Sequence, residues 1–155
     1  MKMAVPNKNE LKAMDETADF KIKGWSLVSL IGNLAPPPFD AIAAGACFAA
    51  LGADLAKVYH IEIEWEQLKL IGRSIAKGIG SVAAAGYFGT SLFKWIPGLN
   101  IWVALLVQPP IVAAITYSVG SAFKRYYRIF ITEGRCLTPE EMRDLAEIEF
   151  KSKLA

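Results

Sequence analysis

Between Asn9 and Lys23 the apolar residues Leu11, Met14, Ala18 and Ile22 recur three or four positions apart, separated by charged and polar residues. That spacing lines one face of a helix and predicts an amphipathic surface helix, with Lys12 and Glu16, and Asp19 and Lys23, paired across one turn. A short apolar segment from Trp25 to Leu34 then runs into Pro36-Pro37-Pro38. Proline lacks the amide hydrogen that a helix interior needs. The triplet therefore ends one unit and opens the next, with Asp40 in a first turn where the helix dipole favours an anion. A second helix is expected from about Pro38 to Tyr59 and a third from about Glu64 to Trp95. The second carries Ala41, Gly45, Ala49 and Ala53 every four residues, and the third repeats the pattern with Gly72, Ala76, Gly80 and Ala84. Stripes of small residues let helix backbones come close, so these two helices are expected to meet, at about 1 kcal/mol of helix propensity for each interior glycine.

Pro97-Gly98 marks a turn, and Ile101 to Ser121 follows as twenty-one residues without a charge. A run of that length can cross a hydrocarbon core. Gln108-Pro109-Pro110 interrupts it and leaves two readings: the prolines kink one spanning helix, or Pro109 opens a separate helix. The basic aromatic cluster Lys124, Arg125, Tyr126, Tyr127 and Arg128 comes next. Thr138-Pro139-Glu140-Glu141 is a capping box that opens a charged helix to about Lys153, supported by Arg143 with Glu147, Glu147 with Lys151, and Glu149 with Lys153. Strand-like alternation is confined to Ile61–Trp65. The fold class is all-α: five to six helices around a Gly/Ala-rich apolar hairpin (about 64–96 and 99–130), flanked by amphipathic N- and C-terminal helices. One domain is expected, with an N-terminal helix and linker over 1–35, an apolar core over 36–135 and a charged helix over 136–155.

Composition narrows the class. Of 155 residues 54% are hydrophobic and only 21% charged, and mean hydropathy is +0.32, which is more apolar than an ordinary soluble domain. The chain is thereby directed towards a membrane or a large partner. A formal charge of +2 is too small for a nucleic-acid surface, and nucleic acid is set aside as a partner. Cys47 lies in an apolar run and Cys136 in a polar stretch, without metal-ligand spacing, so both are expected to be reduced and unpaired. The first 24 residues contain no apolar core of a signal peptide, and the N-terminus is expected to stay in the cytoplasm.

Candidate chemistry is sparse. His60, Glu62, Glu64 and Glu66 fall within seven residues; on a continuous helix His60 and Glu64 would share a face as metal ligands do, whereas in a connector the acids would start the third helix. Asp54 and Lys57 follow thirteen uncharged residues and are either a buried pair in lipid or the point where the helix emerges into water. No nucleophile–base motif or phosphate loop is present, so neither catalysis nor a metal or cofactor is expected. If Gly78–Ile96 and Leu99–Ser121 cross a bilayer as a hairpin, Arg73 and Lys77 join Lys124, Arg125 and Arg128 on one side, with Trp95 and Trp102 at the opposite interface. Trp95, Trp102, Lys124, Arg125, Tyr126, Tyr127 and Arg128 are the membrane-interface candidates. In the alternatives the hairpin is the core of a soluble or peripheral self-associating bundle in the cytoplasm, or it encloses a cavity for lipid or pigment.

Pro38-Phe39-Asp40, Leu55-Ala56-Lys57-Val58-Tyr59, Ile96-Pro97-Gly98 and Ala113-Ala114-Ile115-Thr116-Tyr117-Ser118-Val119-Gly120 form an ordered series. Over about residues 36–135 it resembles the YcjF-like, GTPase-associated family of bacterial proteins of unknown function. The resemblance implies a helical domain found fused to or beside Era-like small GTPases, in some members at the inner membrane. These 155 residues hold no GTPase motif, so nucleotide chemistry would come from a partner, and Ile101–Pro110 is bulkier than the family's Ala/Gly-rich counterpart. The reading that follows is a non-enzymatic, membrane-associated helical module with cytoplasmic termini. It docks a protein, with a small GTPase as the implied partner.

Overall fold

The computed structural model describes residues 5–32, 39–68, 70–72, 74–75 and 108–154, and every regular element among them is helical. Five helices follow in chain order: α1 (Lys8–Gly32), α2 (Phe39–Val58), α3 (helical at 65–68, 70–72 and 74–75), α4 (Gln108–Glu133) and α5 (Pro139–Leu154). The fold is all-α. Of the expected hairpin, α3 supplies the start of the first arm and the rest of that arm lies outside the described residues.

Helix α1 starts earlier and ends later than its charged pattern predicts. Asn7 caps it: its Oδ1 accepts the amides of Asn9 and Glu10 at 3.0 and 2.9 Å, while the Glu10 carboxylate accepts the Asn7 amide at 2.8 Å. This reciprocal pair satisfies donors that the first turn leaves open. The helix then passes through Gly24 without a stop, because Ser26 and Ser29 continue the buried face begun by Ala18 and Ile22.

Helix α4 bears on the proline question. It begins at Gln108, with Pro109 and Pro110 in its first turn, where no amide donor is missed. Of the two readings, this placement agrees with Pro109 near a helix start; residues 99–107 lie outside the described residues. The helix runs on through the basic aromatic cluster to Glu133, and Gly134 ends it at φ +66°, its amide donating to the Phe130 carbonyl at 3.0 Å. The capping box before α5 forms as expected: the Glu141 amide donates to Thr138 Oγ1 at 3.2 Å and the Thr138 amide to the Glu141 carboxylate at 2.8 Å.

Contacts fix the directions of the helices. Tyr59 reaches Asp15, and Lys21 and Trp25 reach Asp54, so α1 and α2 are antiparallel. Lys124 reaches Asp19 and Arg128 reaches Asp15, so α1 and α4 are antiparallel too. Hence α2 and α4 run parallel, with Tyr127 donating to the Gly52 carbonyl at 2.9 Å. Ile22, Leu51, Leu55, Tyr59, Phe123 and Tyr127 fill the space among these three, each at most 1% exposed. Leu68, Ile71 and Ile75 bring α3 onto them, and Met142, Leu145, Ala146 and Phe150 seat α5.

Small residues matter where the backbones approach, though not at the expected register. Ala49 and Ala53 are only half-buried. It is Gly52 that has no room: a Cβ there would lie 2.7 Å from both Leu68 Cδ1 and Phe123 Cζ. Helices α2 and α3 do meet at this point. Gly120 is equally tight, 2.8 Å from Ile22, whereas Gly72 faces open space within 4 Å. Ala41 and Gly45 lie on the α2 backbone; Ala76, Gly80 and Ala84 lie outside the described residues.

Candidate functional site

Charge in the bundle is concentrated where α1 crosses α2 and α4. Lys21 donates to both oxygens of Asp54 at 2.8 and 2.9 Å, and Trp25 Nε1 adds a bond at 3.2 Å. Burial by itself would raise the Asp54 carboxyl, but the bonds from Lys21 and Trp25, with the charges of Lys21 and Lys57, outweigh it and hold the group below its ordinary value. On the neighbouring face Lys124 pairs with Asp19 at 2.7 Å and Arg128 with Asp15 at 3.1 Å. Tyr59 donates to Asp15 at 2.7 Å. Burial first, and the Asp15 bond second, push the Tyr59 phenol far above its usual range, so it stays a donor.

Two hollows flank this layer. One, of about 640 Å³, is an open cleft with Lys124, Arg125 and Arg128 facing Asp19, Glu133 and Glu149. Its charges are of both signs, and Arg125 already meets Glu149 at 3.3 Å. The other, of about 430 Å³, is walled by Ile61, Ile63, Leu70, Tyr126, Phe130 and Cys136. Burial and then the Cys136 thiol push Tyr126 up to about 12, which leaves it protonated at neutral pH. Among the described residues no three His, Cys, Asp or Glu side chains gather as a metal site would require.

The candidates read from sequence are placed as follows. Tyr126 and Tyr127 are inside the bundle, Tyr127 fully buried under Phe123 and Tyr59 with ring centroids 5.8 and 6.2 Å away. Lys124 is largely covered by α1; Arg125 and Arg128 remain half-open to solvent. Trp95 and Trp102 lie outside the described residues. Asp54 is paired with Lys21 across helices, with Lys57 contributing at longer range. His60 stands in a turn at φ +55°, and 61–64 is not helical, so His60 and Glu64 do not share a helix face and Trp65 begins α3. Residues missed by pattern reading are Asp15, Asp19, Lys21, Trp25 and Tyr59, the α1 and α2 halves of the layer. The four-residue step from Asp15 to Asp19, beside the buried face, was the available signal.

Among the described residues no helix is long and apolar enough to cross a membrane. No known family pattern and no solved structure matches the chain. It is similar to magnetosome membrane protein 22 of Magnetospirillum gryphiswaldense, with 27% identity over 114 residues, 73% of this chain and 58% of that protein. The chain thus spans less than two thirds of the relative it matches.

Proposed function

We propose that this chain is a membrane-associated, non-enzymatic helical module that docks a protein partner from the water side. The observation that carries the reading is the similarity to a protein named for a membrane. Sequence supports it: residues 76–107, which join α3 to α4, contain Lys77 and Lys94 as their only charged side chains. Trp95 and Trp102 sit within that stretch as interface anchors, with Arg125 and Arg128 as exposed cations on the bundle. The partner proposed is a small GTPase, on the strength of the resemblance over 36–135. The site chemistry agrees with a binding role, since the charged layer is spent on holding helices together rather than on activating a nucleophile.

Fractionation tests the membrane part. Membranes from expressing cells, washed with alkaline carbonate, are expected to retain the chain until detergent is added. Recovery in the soluble fraction without detergent, as one monodisperse species, would sink it. Proteins that co-purify in mild detergent then test the partner: recovery of a GTPase supports that part, and its absence in the presence of another stable partner removes it.

A further inference from the structure

Three helices lose their charges at the same end of the bundle. Because α1 runs antiparallel to α2 and α4, the C-terminal end of α1 and the N-terminal ends of α2 and α4 lie together. No Asp, Glu, Lys or Arg occurs in α1 after Lys23, in α2 between Asp40 and Asp54, or in α4 before Lys124. At about 1.5 Å per residue, the charge-free lengths are roughly 13 Å of α1, 21 Å of α2 and 24 Å of α4. We propose that this end of the bundle is seated in the hydrocarbon of a bilayer, with the ion-pair layer of Lys21, Asp54, Lys124 and Asp19 at the headgroup level. The proposal rests on the membrane association argued above and names the surface responsible.

Three independent features fit a lipid occupant. First, three buried serines in the slab are closed on their own helices: Ser26 donates to the Ile22 carbonyl at 2.9 Å, Ser29 to Ser26 at 2.8 Å and Ser118 to Ala114 at 2.8 Å. Hydrocarbon supplies no hydrogen-bond partner, so internal satisfaction is the condition for residing there. Second, the outer face of α1 turns apolar along its length: Lys12 and Glu16 are exposed near its start, Leu27 and Val28 are 63% and 50% exposed in the slab. Third, the last charged layer is rich in cations. Lys21, Lys23, Lys57, Lys124 and Arg125 stand against Asp19, Asp54 and the Glu149 that meets Arg125. Such a collar complements anionic headgroups, and Trp25, bonded to Asp54 at that level, is the side chain an interface favours. Asp40, in the first turn of α2 about 21 Å beyond Asp54, is the one acid in the slab's sequence.

The test uses the full chain with vesicles of phosphatidylcholine mixed with anionic phosphatidylglycerol, and with Cys47 and Cys136 replaced by serine. A polarity-sensitive dye is attached at Leu27→Cys or, in a second protein, at Lys12→Cys. On adding vesicles, the dye at 27 is expected to shift to the blue and to be quenched by lipids carrying a nitroxide on the acyl chain, while the dye at 12 stays unchanged. Val28→Glu, a surface change that leaves the helix intact by circular dichroism, should weaken vesicle binding about tenfold or more, and Thr17→Glu should not. If the chain floats with vesicles but dyes at 27 and 12 respond alike, or Val28→Glu binds as well as the parent, the proposed face is wrong while membrane association stands. If it does not float at all, and Leu27→Cys instead forms disulfide-linked dimers, the face joins two copies and both readings fall.

Discussion

A methyl group has no place at Gly52. Its hydrogen would be replaced by a carbon 2.7 Å from Leu68 and Phe123, and both side chains are buried, so one of them must shift inside the core. Gly52→Ala is expected to destabilise the chain by about 1–3 kcal/mol, whereas Gly72→Ala, facing open space, should be neutral or stabilising by up to about 1 kcal/mol through helix propensity. Urea midpoints of the two variants in mild detergent measure the contrast. Asp54 makes a second prediction. Its native carboxyl is held below the ordinary value of 3.8, so its stabilising contribution is complete above that pH and is lost as pH falls below it towards the native value. Asp54→Asn should therefore flatten the acid limb of a stability profile below about pH 4, and an unchanged limb would contradict the assignment. Both residues show what spacing can and cannot reveal. Asp54 was visible in the sequence, but pattern reading pairs neighbours on one helix and offered Lys57; the partner, Lys21, is 33 residues away. Asp19 likewise bonds Lys124, 105 residues distant, instead of Lys23.

Helix ends were more legible than helix faces. Thr138-Pro139-Glu140-Glu141 announced the start of α5 correctly, because a capping box is local chemistry. Thr138→Ala is expected to cost about 1 kcal/mol, read as a lowered thermal midpoint of the purified chain, and with little effect on membrane retention. Asn7-Lys8-Asn9-Glu10 carries the same logic and places the start of α1 at Lys8, three residues before Leu11, the first residue of the apolar repeat. On α5 the Glu147 to Lys151 pair forms at 2.6 Å, while Glu149 leaves the helix surface to meet Arg125. The basic aromatic cluster in α4 is divided between faces for a physical reason. Composition groups Lys124, Arg125, Tyr126, Tyr127 and Arg128, but rotation by about 100° per residue sends them to different sides. Val119, Phe123 and Tyr127 step by four along the core, and Lys124 and Arg128 step by four along α1.

At the scale of the molecule, the apolar composition becomes a matter of placement. Among the described residues the charges other than Asp40 sit at one end and around α5, and the exposed Leu27 and Val28 lie towards the other. Without detergent or lipid the purified chain is expected to sediment as a broad distribution of large species, and with mild detergent as a single narrow one. A narrow monomer in buffer alone would show that the apolar end is covered by the chain itself. The all-α class and the approximate span of α2 were readable from periodicity and prolines. Which ends come together was not, since helix direction depends on contacts such as Tyr59 with Asp15 that no local pattern encodes.

The parallel alignment of α2 and α4 also bears on how the chain is made. Gly52 must wait for Phe123 and Tyr127, 75 residues later in the case of the tyrosine bond. At roughly 5–20 residues per second, a ribosome needs about 4–15 s to cover that interval. Throughout it, α1 and α2 have emerged with Ile22 and Leu51 uncovered, and the apolar residues 76–107 follow before the closing helix appears. The newborn chain is thus at its stickiest just before α4 emerges, and the compartment that receives it then, bilayer or chaperone, decides whether α4 finds its slot.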